Sequence, residues 1–366
     1  MRSKTFSYGD VLGYAHGGLG KKTMDNKKRL IIMDKKLTIN DIAKMSGVAK
    51  STVSRYLNGG SVRDATSQKI KKVIEEHNYE PNVFARLSAK SSKIIGLIVP
   101  GFNSVTTPHL VEVIVAYLKS QSYTPLIMHT GNDVDEELRS IERLKNINVD
   151  GIMVLATSVT DKHRVLVETS NIPILFLGQK FPEGNSVIND DYGAGLEMGE
   201  YLGSQGASKV VGLWVSERDP AVGKERKRGI IDGLKRYGIS PMEFVETSFF
   251  YQDAAANIAK ILDREERPDT IICATDRIAQ GVYKSCYQRK IKIPEEISVT
   301  GFGDYETSEL LVPSLTTVRF DLKGWGEVSA ETMIQMINGK PVSKLQTNSY
   351  QIMKRGSVMV RKNKTI

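Results

Sequence analysis

Polar side chains follow several apolar runs in the second part of the sequence, at the points where strand-like segments end. Hydroxyl, amide and carboxylate groups suit a polyhydroxylated ligand, because they satisfy hydroxyls that would otherwise be desolvated without a partner. Taken singly, each residue fits a loop or a helix cap equally well, so only their recurrence at strand ends favours a sugar pocket. The set is Asn103, Ser104, Thr107, Gln179, Thr275, Asp276 and Asp304.

A basic segment at 224–228 opens a helix-like stretch and bears on the charge of such a ligand. Arg226 stands near the start of that helix, from where its side chain can reach into a cleft. Lys224 would add a point charge, which favours a phosphorylated sugar. For Lys227 and Arg228 a solvated charged face is the simpler interpretation.

Patterns typical of catalysis and of metal binding are missing from the sequence. The five histidines form no close-spaced pair, and Cys273 and Cys286 are too few for a four-ligand zinc site or a disulfide framework. No Gly-x-Ser-x-Gly elbow occurs, and no Gly-x-Gly-x-x-Gly follows the first strand. We therefore predict a protein that is not an enzyme and that has no cofactor and no metal site.

The pocket residues stand on an alternation of apolar runs and helix-length segments that begins at Lys93. Continuous apolar strands separated by helices predict parallel sheets covered on both faces. This segment of about 270 residues is too long for a single hydrophobic core, which favours two α/β lobes. The predicted strands are 94–100, 125–129, 151–156, 173–178, 210–215, 270–275 and 298–302. The predicted helices are 107–121, 134–147, 161–169, 192–205, 221–237, 252–264, 276–289 and 321–338.

The first quarter of the chain is basic and its pattern is helical. Residues 1–93 hold 19 of the 51 Lys and Arg residues but only 8 of the 42 Asp and Glu residues. Thr38 can cap a helix with Asp41 as reciprocal partner, and Gly47 can end that helix. Further helices at about 50–57 and 66–77 complete a pattern typical of a helix-turn-helix. A generic three-helix bundle is the alternative, but the basic surface favours binding to double-stranded DNA.

These segments resemble the LacI/GalR family of transcriptional regulators. The first region matches at 37–43, 47–55, 57–58 and 79–82, and the rest follows in family order at 95–98, 149–152, 190–195, 225–229, 274–276, 299–304 and 313–318. Within the family the chain is most similar to sucrose operon repressors of Gram-positive bacteria, with trehalose-6-phosphate repressors next. The resemblance implies an all-α helix-turn-helix headpiece and a two-lobed α/β core with parallel sheets, like that of periplasmic binding proteins.

This architecture gives the predicted domain limits. We expect a disordered N-terminal extension at 1–34, a helix-turn-helix domain at 35–81, a linker or hinge helix at 82–92 and an effector-binding and dimerisation domain at 93–366. Within the last, the N-lobe covers about 93–190 and 321–346, and the C-lobe about 191–318 and 347–366. Since no secretory leader and no apolar stretch of about 20 residues is present, we expect a cytoplasmic protein.

The resemblance implies a homodimer whose second headpiece helix enters the major groove of operator DNA. Lys50 and Ser51 match base-reading positions of the family, and Arg55 matches another DNA-contacting position. The remaining DNA-binding candidates in the matched segments and the linker are Thr38, Thr52, Ser54, Asn58, Asn82, Ala85, Leu87 and Ser88. Family members place an apolar wedge at the position of Ser88, so either Leu87 kinks the duplex through the minor groove or the kink is weaker.

The pocket also departs from the family pattern. Gly178, Thr275, Gly303 and Phe320 replace polar residues of the family, whereas Arg226 keeps its match. A larger or phosphorylated disaccharide therefore fits better than a simple galactoside, with Phe320 or Phe102 stacking on a sugar ring.

The implied function is repression of a sugar-utilisation operon, sucrose before others, with release from a palindromic operator by a sugar or sugar phosphate. Two alternatives stay open. One is a repressor that responds to trehalose 6-phosphate, and the other is a catabolite-control regulator with a phosphoprotein co-repressor. The second needs a basic docking patch, and 321–331 holds one cation, Lys323.

Overall fold

The computed structural model describes residues 37–57, 60–77, 79 and 91–361. They fall into two compact units divided between Ala85 and Arg86. The predicted extension at 1–34 and most of the predicted linker at 82–92 lie outside the described residues.

In its described residues the first unit is a headpiece of three helices, α1 (Ile39–Ser46), α2 (Lys50–Leu57) and α3 (Asp64–Glu76). Thr38 and Asp41 form the predicted capping box at the start of α1, and Gly47 ends that helix with φ 67°. The left-handed conformation is the one that favours glycine at this position. The centre is formed by one apolar side chain from each helix, all fully buried: Ile42, Val53 and Ile70.

The second unit contains two six-stranded sheets. The first has the order β11-β5-β4-β3-β1-β2 and is parallel throughout. Its central strands are continuous apolar runs because helices cover both faces. Its strands are β1 (Ile94–Val99), β2 (Thr124–His129), β3 (Gly151–Leu155), β4 (Ile174–Leu177), β5 (Asn185–Asn189) and β11 (Leu345–Asn348).

The second sheet repeats this arrangement with the order β12-β10-β9-β8-β6-β7. It is parallel except for the antiparallel pair of β10 with the edge strand β12. Its strands are β6 (Val210–Trp214), β7 (Glu243–Glu246), β8 (Thr270–Cys273), β9 (Ser298–Phe302), β10 (Thr316–Phe320) and β12 (Tyr350–Met353).

Helices pack on both faces of the sheets and complete the two lobes. α4, α5, α6 and α12 accompany the first sheet, while α7 to α11 accompany the second. They are α4 (Thr106–Ser120), α5 (Val134–Asn146), α6 (Asp161–Glu168), α7 (Asp191–Ser204), α8 (Lys227–Lys235), α9 (Tyr251–Leu262), α10 (Asp276–Arg289), α11 (Glu306–Leu310) and α12 (Leu322–Ile337). The predicted two-lobed α/β core with parallel sheets is confirmed.

The chain passes between the lobes three times, after β5, after β10 and between β11 and β12. The first passage lies between the end of β5 at Asn189 and the start of α7 at Asp191. The last lies at Ser349, so the limit proposed at 346/347 falls inside β11. The reason is that β11 pairs with β5 through Asn348, which keeps those residues in the N-lobe.

Within the described residues, the sequence pattern missed five strands and the short helix α11, and it misread one helix. The missed strands β5, β7, β10, β11 and β12 mix polar with apolar residues, so their pairing depends on neighbouring strands more than on composition. The single helix predicted at 221–237 is a π-helical segment, Pro220–Arg226, that continues as α8. π-Helical turns are rare and concentrate at functional sites.

Candidate functional site

A cavity of about 800 Å³ lies between the two lobes at the carboxyl ends of their strands. Ligands of parallel α/β sheets bind at this edge. The volume is within the range of small-molecule sites in proteins.

The N-lobe wall of the cavity is neutral. Its polar groups are hydroxyls and amides, which can donate to and accept from sugar hydroxyls. Ser104 Oγ accepts from the Thr107 amide at 3.1 Å and donates to the Thr107 hydroxyl at 2.9 Å, which orders the first turn of α4. The polar residues of this wall are Asn103, Ser104, Thr106, Thr107, Asn132, Thr157, Gln179 and Asn189.

The C-lobe wall carries the charged groups that line the cavity in the part of the chain that the structure describes. Three are carboxylates, Asp191, Asp219 and Glu246, and two are guanidinium groups, Arg226 and Arg277. Five of the six aromatic lining residues belong to this wall as well: Phe249, Phe250, Phe302, Tyr305 and Phe320.

Arg226 is buried and already bound to protein acceptors. Its Nε lies 2.8 Å and its Nη2 2.5 Å from Asp191 Oδ1, and its Nη1 donates to the Ala274 carbonyl at 2.6 Å. Burial raises the pKa of the Asp191 carboxyl above its usual value, against the attraction of the Arg226 guanidinium. The Arg226 guanidinium also lies over the rings of Phe302 and Phe320, at 4.7 and 5.3 Å from their centroids.

Polar contacts join the two lobes across the cavity. Gln179 at the end of β4 donates to Asp219 Oδ1 at 3.1 Å. Arg277 at the start of α10 donates to the Asn103 carbonyl. These bonds hold the lobes in the arrangement seen in the structure, and a lobe rearrangement must break or replace them.

Most of the predicted pocket residues meet in this cavity. Seven of the ten line it: Asn103, Ser104, Thr107, Gln179, Arg226, Thr275 and Phe320. Thr275 also caps α10, since its Oγ1 accepts from the Ile278 amide at 3.3 Å. Lys224, Asp276 and Asp304 do not line it, so the prediction is corrected at these three positions.

Each correction has a physical reason. Lys224 is exposed, because residues two apart on a helix face different ways and Arg226 takes the inward direction. Asp276 is fully buried and accepts from the Ser308 and Thr317 hydroxyls at 2.6 and 2.5 Å.

Asp304 turns away from the cavity to Arg319 and Arg355, at 2.5 and 2.6 Å. Phe102, the proposed alternative stacking residue, is 48% exposed and stacks on His129 instead of lining the cavity.

Sequence reasoning missed several lining residues. Asp191 and Asp219 are N-terminal residues of helical segments, and their sequence positions gave only a capping signal. Trp325 reaches the cavity from α12, which follows the second passage between the lobes. No local pattern could connect it with Gln179, because tertiary folding alone brings them together.

The exposed face of α2 carries the predicted DNA-reading residues. Lys50, Ser51 and Arg55 are exposed, while Val53 on the opposite face is buried among α1 and α3. Thr52 and Ser54 are half-buried. Neither Lys50 nor Arg55 forms an ion pair within the described headpiece residues, so both charges are available to phosphate oxygens or base edges.

Other DNA-binding predictions find less support in the structure. Thr38 donates from its hydroxyl to Asp41 in the capping box, so its first role is to start α1. Asn58, Asn82, Ala85, Leu87 and Ser88 lie outside the described residues. The predicted role of Leu87 as the wedge therefore stays a prediction, with a weaker kink as its alternative.

Comparison with known proteins identifies both units. Residues 38–82 match the lacI family of bacterial regulatory proteins, and residues 200–358 match the periplasmic binding protein-like domain. The sucrose operon repressor of Staphylococcus xylosus is 36% identical over 300 residues, covering 82% of this chain and 93% of that protein. The ribose operon repressor of Haemophilus influenzae is 26% identical, covering 82% and 92%.

Solved structures share the fold. The lac repressor dimer bound to operator and the anti-inducer ONPF superimposes with a TM-score of 0.80 at 24% identity, covering 89% of this chain and all of that one. The CelR–cellobiose complex gives a TM-score of 0.66 at 22% identity, covering 88% and 99%.

LacI-family repressors bind operator DNA and sugar effectors and function as dimers. Among the helices of the described ranges, none is long and apolar enough to cross a membrane. With 36% identity to a repressor over 82% of its length, the chain belongs to the LacI family of bacterial regulatory proteins, which are transcriptional regulators and not enzymes.

Proposed function

We propose that this chain represses a sugar-utilisation operon in the cytoplasm, with sucrose as the first candidate sugar. A homodimer would bind a palindromic operator through two headpieces and leave it when a sugar occupies the cavity between the lobes. The observation that carries this proposal is the 36% identity to a sucrose operon repressor, which is supported by the cavity between the lobes of this chain.

The charges of the cavity favour an uncharged sugar over a phosphorylated one. Arg226 is neutralised by Asp191, and Arg277 is bound to a carbonyl and lies 4.9 Å from the Phe250 ring centroid. Asp219 and Glu246 add negative charge at the same wall. A phosphate would therefore have to displace existing partners and approach carboxylates, whereas the hydroxyls of a sugar match the neutral N-lobe wall.

Release from DNA would follow from a shift between two lobe arrangements. A sugar moves that equilibrium only by the difference between its affinities for the two states. A ratio of about 100 in affinity corresponds to about 2.7 kcal/mol, which is enough for clear release.

Sequence reading by the headpiece would rest on Lys50 and Ser51 at the start of α2. Each good base contact contributes about 1–3 kcal/mol of discrimination. Exchanging the two residues should change the preferred operator in a selection from randomised DNA, and an unchanged preference would reject their role.

The test is a gel-shift titration with the DNA upstream of the gene for this chain, in buffer of stated salt concentration. We expect a specific complex that sucrose dissociates at a lower concentration than sucrose 6-phosphate does. Release by sucrose 6-phosphate alone would reject the uncharged effector. Failure to bind any operon fragment at low ionic strength would reject the repressor itself.

A further inference from the structure

The carboxylate of Asp150 gathers hydrogen bonds from the residues that connect the linker to the N-lobe. Its Oδ2 accepts from the Ser91 hydroxyl at 2.5 Å and from the Lys93 amide at 3.1 Å. Its Oδ1 accepts from the Ser92 amide and hydroxyl at 2.7 and 2.9 Å. Hydrogen bonds to an ionised acceptor are stronger than neutral ones, so three successive residues are fixed to one side chain.

The backbone around this carboxylate is fixed from other sides too. Ser92 is fully buried, and its hydroxyl accepts from the Ile94 amide at 3.2 Å, where β1 begins. Lys93 adopts φ 55°, and its ammonium lies 4.5 Å from the Tyr123 ring centroid. The chain therefore enters the N-lobe in one defined direction.

The C-lobe contains the same arrangement at the amino ends of its strands. Asp269 accepts from the Ser208 hydroxyl at 2.6 Å and from the Ser208 and Lys209 amides at 3.1 and 3.0 Å. Both sites thus join a Ser–Lys pair before the first strand of a lobe to an aspartate before a neighbouring central strand.

The two sites differ in what precedes the Ser–Lys pair. Ser208 follows α7, inside the C-lobe. Ser91, in contrast, lies near the end of the predicted linker at 82–92, which leads from the headpiece. Asp269 therefore closes an internal turn, while Asp150 holds the end of the segment that carries the DNA-reading helices.

The strand behind Asp150 runs to the cavity. β3 begins at Gly151, and Leu155, Ala156 and Thr157 at its other end line the cavity. β1 pairs with β3 along this length and leads to Pro100 and Gly101, which also line it. The attachment point and the ligand wall are thus opposite ends of the same two strands.

We infer that Asp150 is a positioning residue for operator binding, which fixes the linker to the N-lobe so that the lobe arrangement sets the spacing of the two headpieces. This inference rests on the proposed function. Without the carboxylate, the donors of Ser91 to Lys93 lose their common acceptor. The linker then swivels at its attachment, and the dimer tolerates half-sites at altered spacing.

The experiment uses full-length protein and an operator selected by the wild type from random DNA. Fluorescence anisotropy measures affinity for that operator and for a version with two base pairs inserted at its centre, which displaces one half-site around the helix. We expect the insertion to weaken wild-type binding at least 100-fold and Asp150→Ala binding less than 10-fold. Asp269→Ala, the matched control, should keep the wild-type ratio.

Several outcomes overturn the inference. If Asp150→Ala shows the same ratio of affinities for the two operators as the wild type, the carboxylate does not set the spacing. An equal drop in ratio for Asp269→Ala would show a general effect of lost stability. If Asp150→Ala does not fold, Asp150→Asn, which keeps the shape and one acceptor oxygen, must lower the ratio instead. A wild type that selects no sequence would overturn the proposed function and this inference with it.

Discussion

The two walls of the cavity come from lobes of the same topology and yet differ in chemistry. Both sheets have the same strand order and differ only at one edge, where β11 is parallel to its neighbour and β12 is antiparallel. Among the described residues that line the cavity, the N-lobe wall offers hydroxyls and amides, while the C-lobe wall holds the five charged groups and most of the aromatic rings. Loops at strand ends, not the sheets, therefore decide what each lobe can bind.

This asymmetry separates two tasks. Arg226 and Asp191 of the C-lobe are paired within that lobe, so their arrangement does not need a ligand. The neutral groups of the N-lobe can be satisfied by a ligand that bridges the gap. Under the proposed function, the affinity for a sugar that contacts both walls depends on the distance between the lobes.

The largest effect is expected from breaking the charged centre of the C-lobe wall. Arg226→Met fills the volume but leaves the Asp191 carboxylate buried without its partner, which costs about 3–5 kcal/mol. Urea unfolding at pH 7 measures the loss. Asn189→Ala is the N-lobe control, because it removes a neutral 2.9 Å hydrogen bond with Asn348, and it should cost about 1 kcal/mol.

Adding Asp191→Asn to Arg226→Met tests the cause, because it removes the unpaired charge. We expect the double variant to be more stable than Arg226→Met alone. Equal or lower stability of the double variant would mean that lost packing on Phe302 and Phe320 dominates instead.

The buried carboxylate behind the C-lobe wall gives the next largest effect. Burial raises the pKa of Asp276 to about 6, despite hydrogen bonds from Ser308 and Thr317. Since the unfolded chain ionises near the ordinary value of 3.8, it binds fewer protons between pH 4 and 6 than the folded chain. Stability therefore falls by about 3 kcal/mol as pH rises through that window.

Asp276→Asn removes this contribution, and its hydroxyl partners can rotate to meet the amide. Chemical unfolding from pH 4 to 7 should show the variant gaining about 3 kcal/mol relative to wild type. Parallel curves for the two proteins would show that Asp276 titrates alike in both states.

A smaller effect is expected where the two walls meet. Gln179→Ala removes the 3.1 Å hydrogen bond to Asp219. Its loss should cost about 1 kcal/mol, which corresponds to an about 5-fold larger population of molecules with separated lobes. The distance between the lobes is measured between spin labels on cysteines that replace the exposed Lys180 and Lys224. The native cysteines, Cys273 and Cys286, are buried.

Gln346→Ala serves as the control for this measurement, because its 2.9 Å bond to Thr332 stays within the N-lobe. The distance distribution of this variant should match that of wild type. An unchanged distribution for Gln179→Ala would remove the bond to Asp219 from the forces that hold the lobes.

The smallest effect is expected on the neutral wall alone. Ser104→Ala removes the bond to the Thr107 amide at the start of α4, which should cost about 0.5 kcal/mol because Ser104 is exposed. Thermal unfolding measures it. A cost above about 2 kcal/mol would mean that the N-lobe wall is as tightly constrained as the C-lobe wall.

Much of the fold could be predicted from local pattern. The central strands β1, β3, β4, β6 and β8 are largely apolar runs that need no partner to be seen in the sequence. β5, β7 and β11 were missed, because strands with mixed composition form only when a neighbour supplies the pairing.

The pocket residues could be predicted only where the end of a strand could be recognised in the sequence. Thr107, Gln179 and Thr275 follow apolar runs, and the structure places all three on the cavity. Asp276 and Asp304 have the same sequence signal but point elsewhere, since a strand-end position does not fix the direction of a side chain.

The sequence by itself determined the features that depend on neighbours a few residues apart, such as the Thr38–Asp41 capping box and the turn at Gly47. Tertiary structure alone decided that Arg226 meets Asp191, 35 positions away, and that Gln179 reaches Asp219. The reason is that a cap is satisfied within one helical turn. A buried charge finds its partner only after the chain has packed and water has been excluded.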